Sequence, residues 1–409
     1  MATRPGSQLR RDYVWNTASS VMASASTVIM LLVVTRAGGI ASAGVFALGL
    51  AIGQQLQSLG MYEVRTYQAT DVGRRFSFGT YGALRVVTVG LMLVGVVVYP
   101  LLTNEPGSDI LLIVLVASLR SVDATEDVFF GEWQRLGRLD AAGRAYFFRV
   151  LITTLTFSVV MLATRVLLTA TLVTLGVSVV ALIALVILPA RAYYPTAPDF
   201  SVKPARQVLV ACFPLFLSAF LAVYLSNAPR FAIASYMDNE TQGYFAILFM
   251  PAFTVNLLST LLFRPLLTRM ALTWADRDSK ALRRMILKGL QGAIAGLVVV
   301  FAVAYWYGVP LLNFLYAEDV APYKVEMLLL VVGGGFNAAA TILFYALTTL
   351  RRQHAVFLGY VLSALVVFVL SLVLVPAFGM LGAALAYVLA MLTLTAAFAL
   401  FLLHFLARD

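Results

Sequence analysis

Apolar stretches of about 20 residues alternate with short polar or basic segments along the whole chain. The first six lie at residues 13–34, 42–61, 78–101, 109–130, 145–163 and 167–188. After a segment rich in proline and polar residues, six more follow at 208–228, 243–263, 285–309, 325–350, 355–375 and 381–405. A helix of about 20 apolar residues spans the hydrocarbon core of a bilayer. The pattern therefore predicts an all-α polytopic membrane protein with twelve transmembrane helices.

An internal repeat relates the two groups of six stretches. The segment YPLLTNEP, which begins at Tyr99, resembles VPLLNFLY at Val309, and AGVFALGLAI at Ala43 resembles QGYFAILFMP at Gln242. The similar offsets predict two pseudo-symmetric six-helix lobes. These are residues 1–188 and residues 208–409, joined by a cytoplasmic linker at 189–207.

The repeat also predicts how the lobes are related. Because six is an even number, both lobes enter the membrane from the same side, so their pseudo-twofold axis runs along the membrane normal. The alignment places Asp123 of the first lobe opposite Asn337 of the second. A fold of this kind places its substrate site between the lobes near the middle of the membrane.

Composition agrees with this pattern and excludes several functions. Hydrophobic residues make up 61% of the 409 residues and charged residues 12%, and the mean hydropathy is +0.92, far from the values of a soluble globular chain. The net charge of +10 comes from basic residues dispersed between apolar stretches, so we expect no nucleic-acid partner. The one cysteine, Cys212, and the two histidines provide neither a disulfide framework nor a metal centre. We therefore expect no metal and no cofactor.

Basic residues are unevenly distributed between the two sets of loops. If the N-terminus is cytoplasmic, most of the 29 Lys and Arg residues fall in cytoplasmic segments, and Arg36, Arg165, Arg230 and Lys324 are the ones in or beside outer loops. Positively charged loops stay on the cytoplasmic side, so we expect both termini inside the cell. The outer segments are too short to hold a catalytic domain, and we do not expect an enzyme.

The fourth stretch carries the charges that are most costly to place in a membrane. Arg120, Asp123 and Asp127 fall on one stripe of a helix, and Glu126 lies further round. Charges at this depth normally face a bundle interior or a water-filled cavity rather than lipid. The stretch therefore predicts a polar space inside the first lobe, with these three carboxylates as candidates for coupling transport to an ion.

Two further arginines lie inside apolar stretches of the first lobe. Arg85 and Arg149 are about two turns from the cytoplasmic face on the third and fifth stretches. Both are candidates for substrate binding. The alternative is that they pair with the carboxylates of the fourth stretch and fasten the cytoplasmic half of the lobe. The sequence leaves the two interpretations open.

Three arginines are candidates for lining a transport cavity. Arg36 lies at the outer end of the first stretch, and Arg120 lies near the midplane. Arg230 follows Pro229, which we expect to break the seventh stretch where it runs on from residue 228 toward Tyr236. A guanidinium group offers a planar set of donors that suits phosphate, so a central arginine is a reasonable anchor for a diphosphate. For Arg120 the alternative is pairing with Asp123, and for Arg230 it is extension to the outer interface.

Glycines 333–335 on the tenth stretch allow two interpretations. They can serve as a hinge, or they can let neighbouring helices approach closely. Small residues are enriched where transmembrane helices pack against one another. We therefore favour close packing.

A set of segments resembles one family as a whole, although no single motif is diagnostic. They are RDYVWNTASSVMASAS, AGVFALGLAI, EVRTYQATDVGRRFSFGTYGALR, EDVFFGEWQRLGRLDAAGRAYFFR and NAPRFAIASYMDNETQGYFAI. Together they cover nearly the whole chain and resemble bacterial polysaccharide-repeat-unit flippases of the Wzx type. These belong to the multidrug/oligosaccharidyl-lipid/polysaccharide exporter superfamily, which also includes peptidoglycan lipid-precursor flippases and drug/cation antiporters of the MATE type.

The resemblance implies a V-shaped two-lobe bundle in the bacterial cytoplasmic membrane that moves a polyprenyl-diphosphate-linked oligosaccharide between leaflets for cell-surface polysaccharide synthesis. It also implies alternating access, cationic residues that receive the diphosphate, and drive by a proton gradient, a sodium gradient or the membrane potential. The implied partners are the lipid-linked glycan, membrane lipids, and polysaccharide polymerase or export proteins.

Two rival functions remain. An ion-coupled small-molecule or multidrug exporter would use the carboxylates of the fourth stretch to bind cations, and would not need Arg120 or Arg230 in its cavity. A membrane subunit of a polysaccharide assembly complex that transports nothing would not need a polar cavity.

Overall fold

The computed structural model describes residues 6–71, 73–103, 107–276 and 278–406. The predicted lobes also include residues 1–5 and 407–409, which lie outside this description. Helices joined by short connections make up the described part of the chain, without β-strands. In that part, nine helical stretches are long and apolar enough to cross a membrane. The chain is therefore an all-helical polytopic membrane protein, as the hydrophobic pattern predicted.

Residues Met1–Phe220 contain the first of two compact units. Its helices are α1 (Gly6–Gly38), α2 (Ile40–Met61), α3 (Val64–Thr70), α4 (Phe78–Leu102), α5 (Gly107–Arg135), α6 (Leu139–Thr164), α7 (Leu167–Leu182), α8 (Leu188–Ala190) and the first part of α9 (Val202–Tyr236). Helix α5 packs against α2, α3, α4, α6 and α7. The helix with the most charges is thus the one that its neighbours surround, because charged side chains are costly in lipid.

Residues Leu221–Asp409 contain the second unit. After the end of α9 come α10 (Asn239–Leu248), α11 (Met250–Ala275), α12 (Ser279–Val303), α13 (Val309–Tyr316), α14 (Lys324–Thr349) and α15 (Gln353–Leu406). Helix α14 packs against α11, α12 and α15. It is the counterpart of α5 in the predicted repeat.

Helix α15 combines two predicted spans. It is 54 residues long, and a kink at Gly379 divides it, where φ is 59° and ψ is −133°. Side chains other than glycine rarely adopt this conformation. The kink falls between the predicted spans 355–375 and 381–405, so the sequence located the division correctly.

The break that we expected at Pro229 is absent, and that prediction is wrong. Helix α9 runs without interruption from Val202 to Tyr236. A proline removes one backbone donor, and transmembrane helices tolerate this loss where neighbouring groups satisfy the freed carbonyl. The same helix begins inside the predicted linker 189–207, with Pro204 in its first turn, where no backbone N–H is required.

Glycines 333–335 are packing positions. A Cβ atom on Gly333 would lie 2.5 Å from the ring of Tyr387, and one on Gly335 would lie 2.5 Å from the side chain of Leu297. A Cβ on Gly334 would lie 3.2 Å from the carbonyl oxygen of Ala252. The favoured interpretation, close packing of α14 against its neighbours, is confirmed.

Candidate functional site

The most buried charges of the first unit surround Arg149 of α6. Its Nε donates to Glu126 Oε2 at 2.7 Å and its Nη2 to Glu126 Oε1 at 2.6 Å, which makes a bidentate pair. The same guanidinium donates to Asp123, and to Ser178 Oγ of α7 at 3.2 Å. Arg149 and Glu126 are only 3% and 1% exposed. Each therefore neutralises a charge that would be costly to bury alone.

Arg120 and Arg149 both donate to the carboxylate of Asp123. Its Nη1 donates to Asp123 Oδ2 at 3.0 Å, one turn further along α5, while Oδ1 of Asp123 accepts from Arg149. The side chains of Arg120, Asp123 and Arg149 line a cavity of about 50 Å³ among α1, α2, α5, α6 and α7. A polar cavity of this size has room for water. The intrahelical pairing of Arg120, which the sequence left as an alternative to substrate binding, is present.

Arg85 of α4 and Asp127 of α5 form a second buried pair. Arg85 Nη2 donates to Asp127 Oδ2 at 2.8 Å, and Arg65 Nη1 donates to Asp127 Oδ1 at 3.4 Å. Arg85 also donates to the carbonyl of Gly60, which accepts from Thr88 Oγ1 at 2.7 Å as well. That carbonyl lies in the last turn of α2, where carbonyl groups have no backbone N–H partner within the helix. Arg85 thus neutralises a carboxylate and caps a helix.

The cluster of six side chains is balanced in charge when all are ionised. It consists of Arg85, Arg120 and Arg149 with Asp123, Glu126 and Asp127. The pairing of Arg85 and Arg149 with carboxylates of α5, one of the two interpretations from sequence, is confirmed. We call these six residues the balanced cluster. Because its charges compensate one another, it attracts a further ion of either sign only weakly.

Beyond the balanced cluster, α5 continues into polar contacts with the connection between α3 and α4. Glu132 accepts hydrogen bonds from Gln68 Nε2 at 3.0 Å and from Arg135 Nη2 at 2.7 Å. Nη1 of Arg135 lies 3.7 Å from Oδ2 of Asp71. Burial works to raise the pKa of Asp71, but hydrogen bonds from two backbone amides and from the Tyr81 hydroxyl, with nearby Arg135, hold the pKa below its usual value. Asp71 is therefore ionised at neutral pH and ties this connection to α5.

Arg36 lies apart from the balanced cluster. It is exposed in the last turn of α1, nearly two turns beyond Met30, which lines the cavity. A positive charge is favourable there because the C-terminal end of a helix carries a partial negative charge. The structure therefore does not bring Arg36 together with Arg120.

Arg230 of α9 is in a different environment, in the second unit. Its Nη1 donates to Asn227 Oδ1 at 3.1 Å, and its guanidinium lies 4.7 Å from the ring centroid of Phe249. Its Nε is enclosed and makes no hydrogen bond. Among the residues that the structure describes, no carboxylate forms an ion pair with Arg230. Its charge is partly buried and uncompensated, which is costly unless an anion comes to it.

A pair of neutral amides joins two helices of this unit. Asn337 Nδ2 of α14 donates to Asn256 Oδ1 of α11 at 2.9 Å. The repeat placed Asn337 opposite Asp123, so an amide pair stands where the first unit has charges. The ring of Phe249, which Arg230 contacts, also packs against Tyr387 of α15. The two ring centroids are 5.1 Å apart.

Sequence reasoning missed the polar residues that neighbouring helices contribute to the small cavity. Thr174 and Ser178 of α7 line it, and the ring centroid of Tyr146 lies 5.4 Å from the guanidinium carbon of Arg149. One signal was present in the sequence. Thr171, Thr174 and Ser178 recur at helical spacing in an otherwise apolar stretch, and all three are buried.

Comparisons with known structures agree on the fold. The chain aligns with an inward-facing multidrug resistance MATE family transporter of the MOP superfamily at a TM-score of 0.67 and 13% identity, covering 97% of this chain and 95% of the other. It aligns with the lipid II flippase MurJ in an inward closed conformation at a TM-score of 0.66 and 13% identity, covering 95% and 86%. A MOP superfamily transporter from Pyrococcus furiosus gives a TM-score of 0.57 and 13% identity, covering 98% and 95%.

No protein-family model and no curated protein sequence matches the chain. At this level of identity, the structural likeness concerns the fold alone. The chain is thus a polytopic helical membrane protein. Its fold is like that of the MATE transporters and of the lipid II flippase MurJ with which it aligns.

Proposed function

We propose that the protein is a flippase that moves a polyprenyl-diphosphate-linked oligosaccharide across the bacterial cytoplasmic membrane by alternating access. The lipid-linked sugar then serves the synthesis of a cell-surface polysaccharide. The fold supports transport, since structures of this fold include the lipid II flippase MurJ as well as MATE transporters. The remaining question is whether the substrate is an anionic lipid or a cationic drug.

The uncompensated charge of Arg230 is the observation that carries the proposal. A partly buried guanidinium without a carboxylate partner attracts an anion, and its planar donors match the oxygen atoms of a phosphate. A drug cation would be repelled by it. In the first unit, every carboxylate of the balanced cluster is already paired with an arginine. The charges therefore favour an anionic substrate over a cationic one.

The other arginines take different parts in this proposal. Arg120 is the second candidate for the diphosphate because its side chain is 21% exposed and lines a cavity. Arg36, in the last turn of α1, is a candidate for an initial contact with the diphosphate of the substrate. Arg85 and Arg149 lie within the balanced cluster and act on substrate only if their ion pairs open during transport.

Coupling to a proton or sodium gradient is assigned to the carboxylates of α5. Asp123 is the strongest candidate, because it lines the small cavity and is shared between two arginines. Glu126 is held by two nitrogens of Arg149, and Asp127 by Arg85 and Arg65. An ion that enters the cavity would thus meet Asp123 first.

The proposed architecture has twelve transmembrane helices, with both termini in the cytoplasm and lobes at 1–188 and 208–409. Among the described residues, nine stretches are long and apolar enough to be spans, and the kink at Gly379 divides the longest into two. The 29-residue α5 and the 26-residue α11 are long enough to supply the remaining two. The helix lengths therefore support the count.

A binding experiment tests the substrate class. The purified protein would be offered a polyprenyl-diphosphate sugar, the corresponding polyprenol and lipophilic cations, with retention measured by native mass spectrometry. We expect selective retention of the diphosphate lipid. Arg230→Gln should weaken it roughly 10- to 100-fold, as the loss of one charge-assisted contact implies, and Arg230→Lys should weaken it less.

Arg165→Gln is the matched control, because Arg165 is an exposed arginine at the end of α6. It should bind like the wild type. Retention of cations without any preference for the diphosphate lipid would overturn the flippase in favour of a multidrug exporter. Equal binding by Arg230→Gln and Arg165→Gln would remove Arg230 as the anchor.

A second experiment tests coupling. Export of the lipid-linked sugar into the outer leaflet of proteoliposomes would be followed across a pH series for the wild type, Asp123→Asn and Asp127→Asn. We expect Asp123→Asn to flatten the pH dependence more than Asp127→Asn does. A pH profile that neither variant changes, with activity retained, would exclude both carboxylates from proton coupling.

A further inference from the structure

The second unit contains a large cavity at the ends of three helices. It lies where α11 and α14 end and α12 begins, and its volume is about 950 Å³. Sites for small ligands in proteins typically have volumes of about 300–1,000 Å³. The cavity is far from Arg230. Arg230 and Tyr387 both contact Phe249, and Tyr387 packs against Gly333 of α14. Thr349, which lines the cavity, is about 24 Å from Gly333 along the same helix.

The wall of the cavity has an apolar side and a polar side. Leu267, Ala271 and Trp274 of α11 form the apolar side, while Thr349 and Arg351 at the end of α14 belong to the polar side. Tryptophan is enriched at the level of lipid head groups, where its ring meets both acyl chains and water. A ligand that fits this wall has an apolar part and a polar part.

One buried donor in the wall has no partner among the residues that the structure describes. Thr349 is 9% exposed, and its hydroxyl makes no hydrogen bond to any of them. A buried hydroxyl without a partner is unfavourable, so a ligand oxygen at this position would remove the cost. Arg351, which lines the same cavity, is exposed and can donate to the same ligand.

The charge around the cavity selects an anion. The described basic residues on these helix ends are Arg269, Lys280, Arg283, Arg284, Arg351 and Arg352, and the described acidic residues are Asp276 and Asp278. Asp278 is committed to the helix, because its Oδ1 accepts from the Ala281 amide at 2.8 Å at the start of α12. The surroundings are therefore strongly positive.

We infer that this cavity is a binding site for an anionic phospholipid of the surrounding membrane. The phosphate accepts hydrogen bonds from Thr349 and Arg351, and the glycerol and upper acyl chains lie against Leu267, Ala271 and Trp274. Basic pockets between transmembrane helices at a membrane surface are suited to anionic head groups. The bound lipid fills the space between the α11–α12 connection and the end of α14, and holds the two together. This site is separate from the proposed transport path.

Trp274 provides a direct readout. Wild type and Trp274→Phe would be placed in nanodiscs of phosphatidylcholine that contain a minor fraction of brominated phosphatidylglycerol or of brominated phosphatidylcholine. Bromine quenches tryptophan on contact, and the difference between the two proteins isolates the signal of Trp274. We expect the anionic brominated lipid to quench Trp274 at a much lower fraction than the zwitterionic one does.

Two variants test the contacts. Arg351→Gln should weaken the preference for the anionic lipid by about fivefold, as the loss of one basic residue near a membrane surface implies. Thr349→Val should weaken it as well, while keeping the size of the side chain. Arg165→Gln is the control, because Arg165 has the same left-handed backbone conformation, with φ of 56° against 57° at Arg351. It should leave the preference unchanged.

Three outcomes would overturn the inference. Equal quenching by the two brominated lipids would leave only non-selective contact with the membrane. Unchanged quenching in both Arg351→Gln and Thr349→Val, with thermal unfolding confirming that the variants are folded, would remove the proposed contacts. Relief of quenching by inorganic phosphate would show that the cavity takes a small free anion rather than a lipid.

Discussion

At the scale of single residues, the balanced cluster explains how charged side chains lie inside a membrane-spanning bundle. The bidentate pair of Arg149 with Glu126 is nearly enclosed, so bulk solvent cannot replace a lost partner. Removing one member of a buried pair leaves an uncompensated charge and costs about 3–5 kcal/mol, whereas replacing both members costs far less. Stability should therefore depend on both residues together.

A double-mutant cycle tests this dependence. We expect Arg149→Gln and Glu126→Gln each to lower the unfolding temperature of the purified protein strongly, and the double variant to recover a large part of the loss. Thermal unfolding in detergent measures all four proteins. Independent, additive effects of the two substitutions would contradict the pairing.

The sequence offered the pairing of Arg85 and Arg149 with carboxylates of α5 as one interpretation, but it did not predict which carboxylate each arginine contacts. Helical spacing placed Arg120, Asp123 and Asp127 on one stripe of α5, and the structure has them facing the bundle interior. It also placed Glu126 away from that stripe, yet Glu126 makes the bidentate pair with Arg149. The choice of partner depends on how α6 is rotated against α5, and no local pattern in the sequence encodes that rotation.

At the scale of helices, Gly53 of α2 lies directly against the backbone of α5. A Cβ atom on Gly53 would lie 2.8 Å from the carbonyl oxygen and 2.9 Å from the Cα of Ala117. Backbone atoms cannot move aside as a flexible side chain can. Arg120 lies one turn further along α5, and its Cγ would be 3.0 Å from the same Cβ.

We therefore expect Gly53→Ala to destabilise the protein by about 1–3 kcal/mol, the usual cost of overpacking, and to lower transport with it. Gly90→Ala is the control, since a Cβ on Gly90 of α4 meets no atom within 4 Å. Thermal unfolding of the two variants should differ clearly. If they unfolded at the same temperature, the contact of α2 with α5 would not be as close as described.

The kink in α15 gives a second prediction for helices. Gly379 has a positive φ, so Gly379→Ala should cost about 1–3 kcal/mol through backbone strain alone. Gly296→Ala on α12, where a Cβ would have open space, should be neutral or slightly stabilising because alanine favours helix. Urea or thermal unfolding distinguishes them. A neutral Gly379→Ala would mean that the two halves of α15 tolerate a straight helix.

Prolines show where sequence reasoning about helices reached its limit. The spans around Gly379 were divided correctly, yet the helix continues through Pro229. A proline weakens a helix locally, but whether the helix breaks depends on what its neighbours offer to the freed carbonyl. The division near Gly379 was predicted from the limits of the two apolar stretches, and its positive φ is a finding of the structure.

At the scale of the whole molecule, positions that the predicted repeat matches make similar contacts in the two units. Gly53 on α2 meets the backbone of Ala117 beside Arg120 on α5. The repeat offsets carry Gly53 to Ala252 and Arg120 to Gly334, and Gly334 meets the backbone of Ala252. In the second unit, the glycine that lets the helices approach lies on α14, the counterpart of α5, rather than on the counterpart of α2. In the first unit it lies on α2, which leaves the position on α5 to an arginine.

The proposed orientation in the membrane is testable with three matched positions. Arg74, Arg165 and Arg351 are all exposed, and all have a left-handed backbone conformation with φ between 50° and 57°. Each would be replaced by cysteine in a Cys212→Ala background, in which no native thiol remains. Helices α4, α5 and α6 separate Arg74 from Arg165. In the proposed topology each of these three helices crosses the membrane, which places the two positions on opposite sides.

We expect a membrane-impermeant maleimide to label Arg165→Cys in intact cells, and to label Arg74→Cys and Arg351→Cys only after the cells are made permeable. Since the three positions share exposure and backbone conformation, a difference in labelling reports the side of the membrane rather than local reactivity. The reverse pattern would place the N-terminus outside. Labelling of Arg74→Cys and Arg165→Cys from the same side would mean that one of the three helices between them does not cross, and α5, which carries the balanced cluster, would be the first to re-examine.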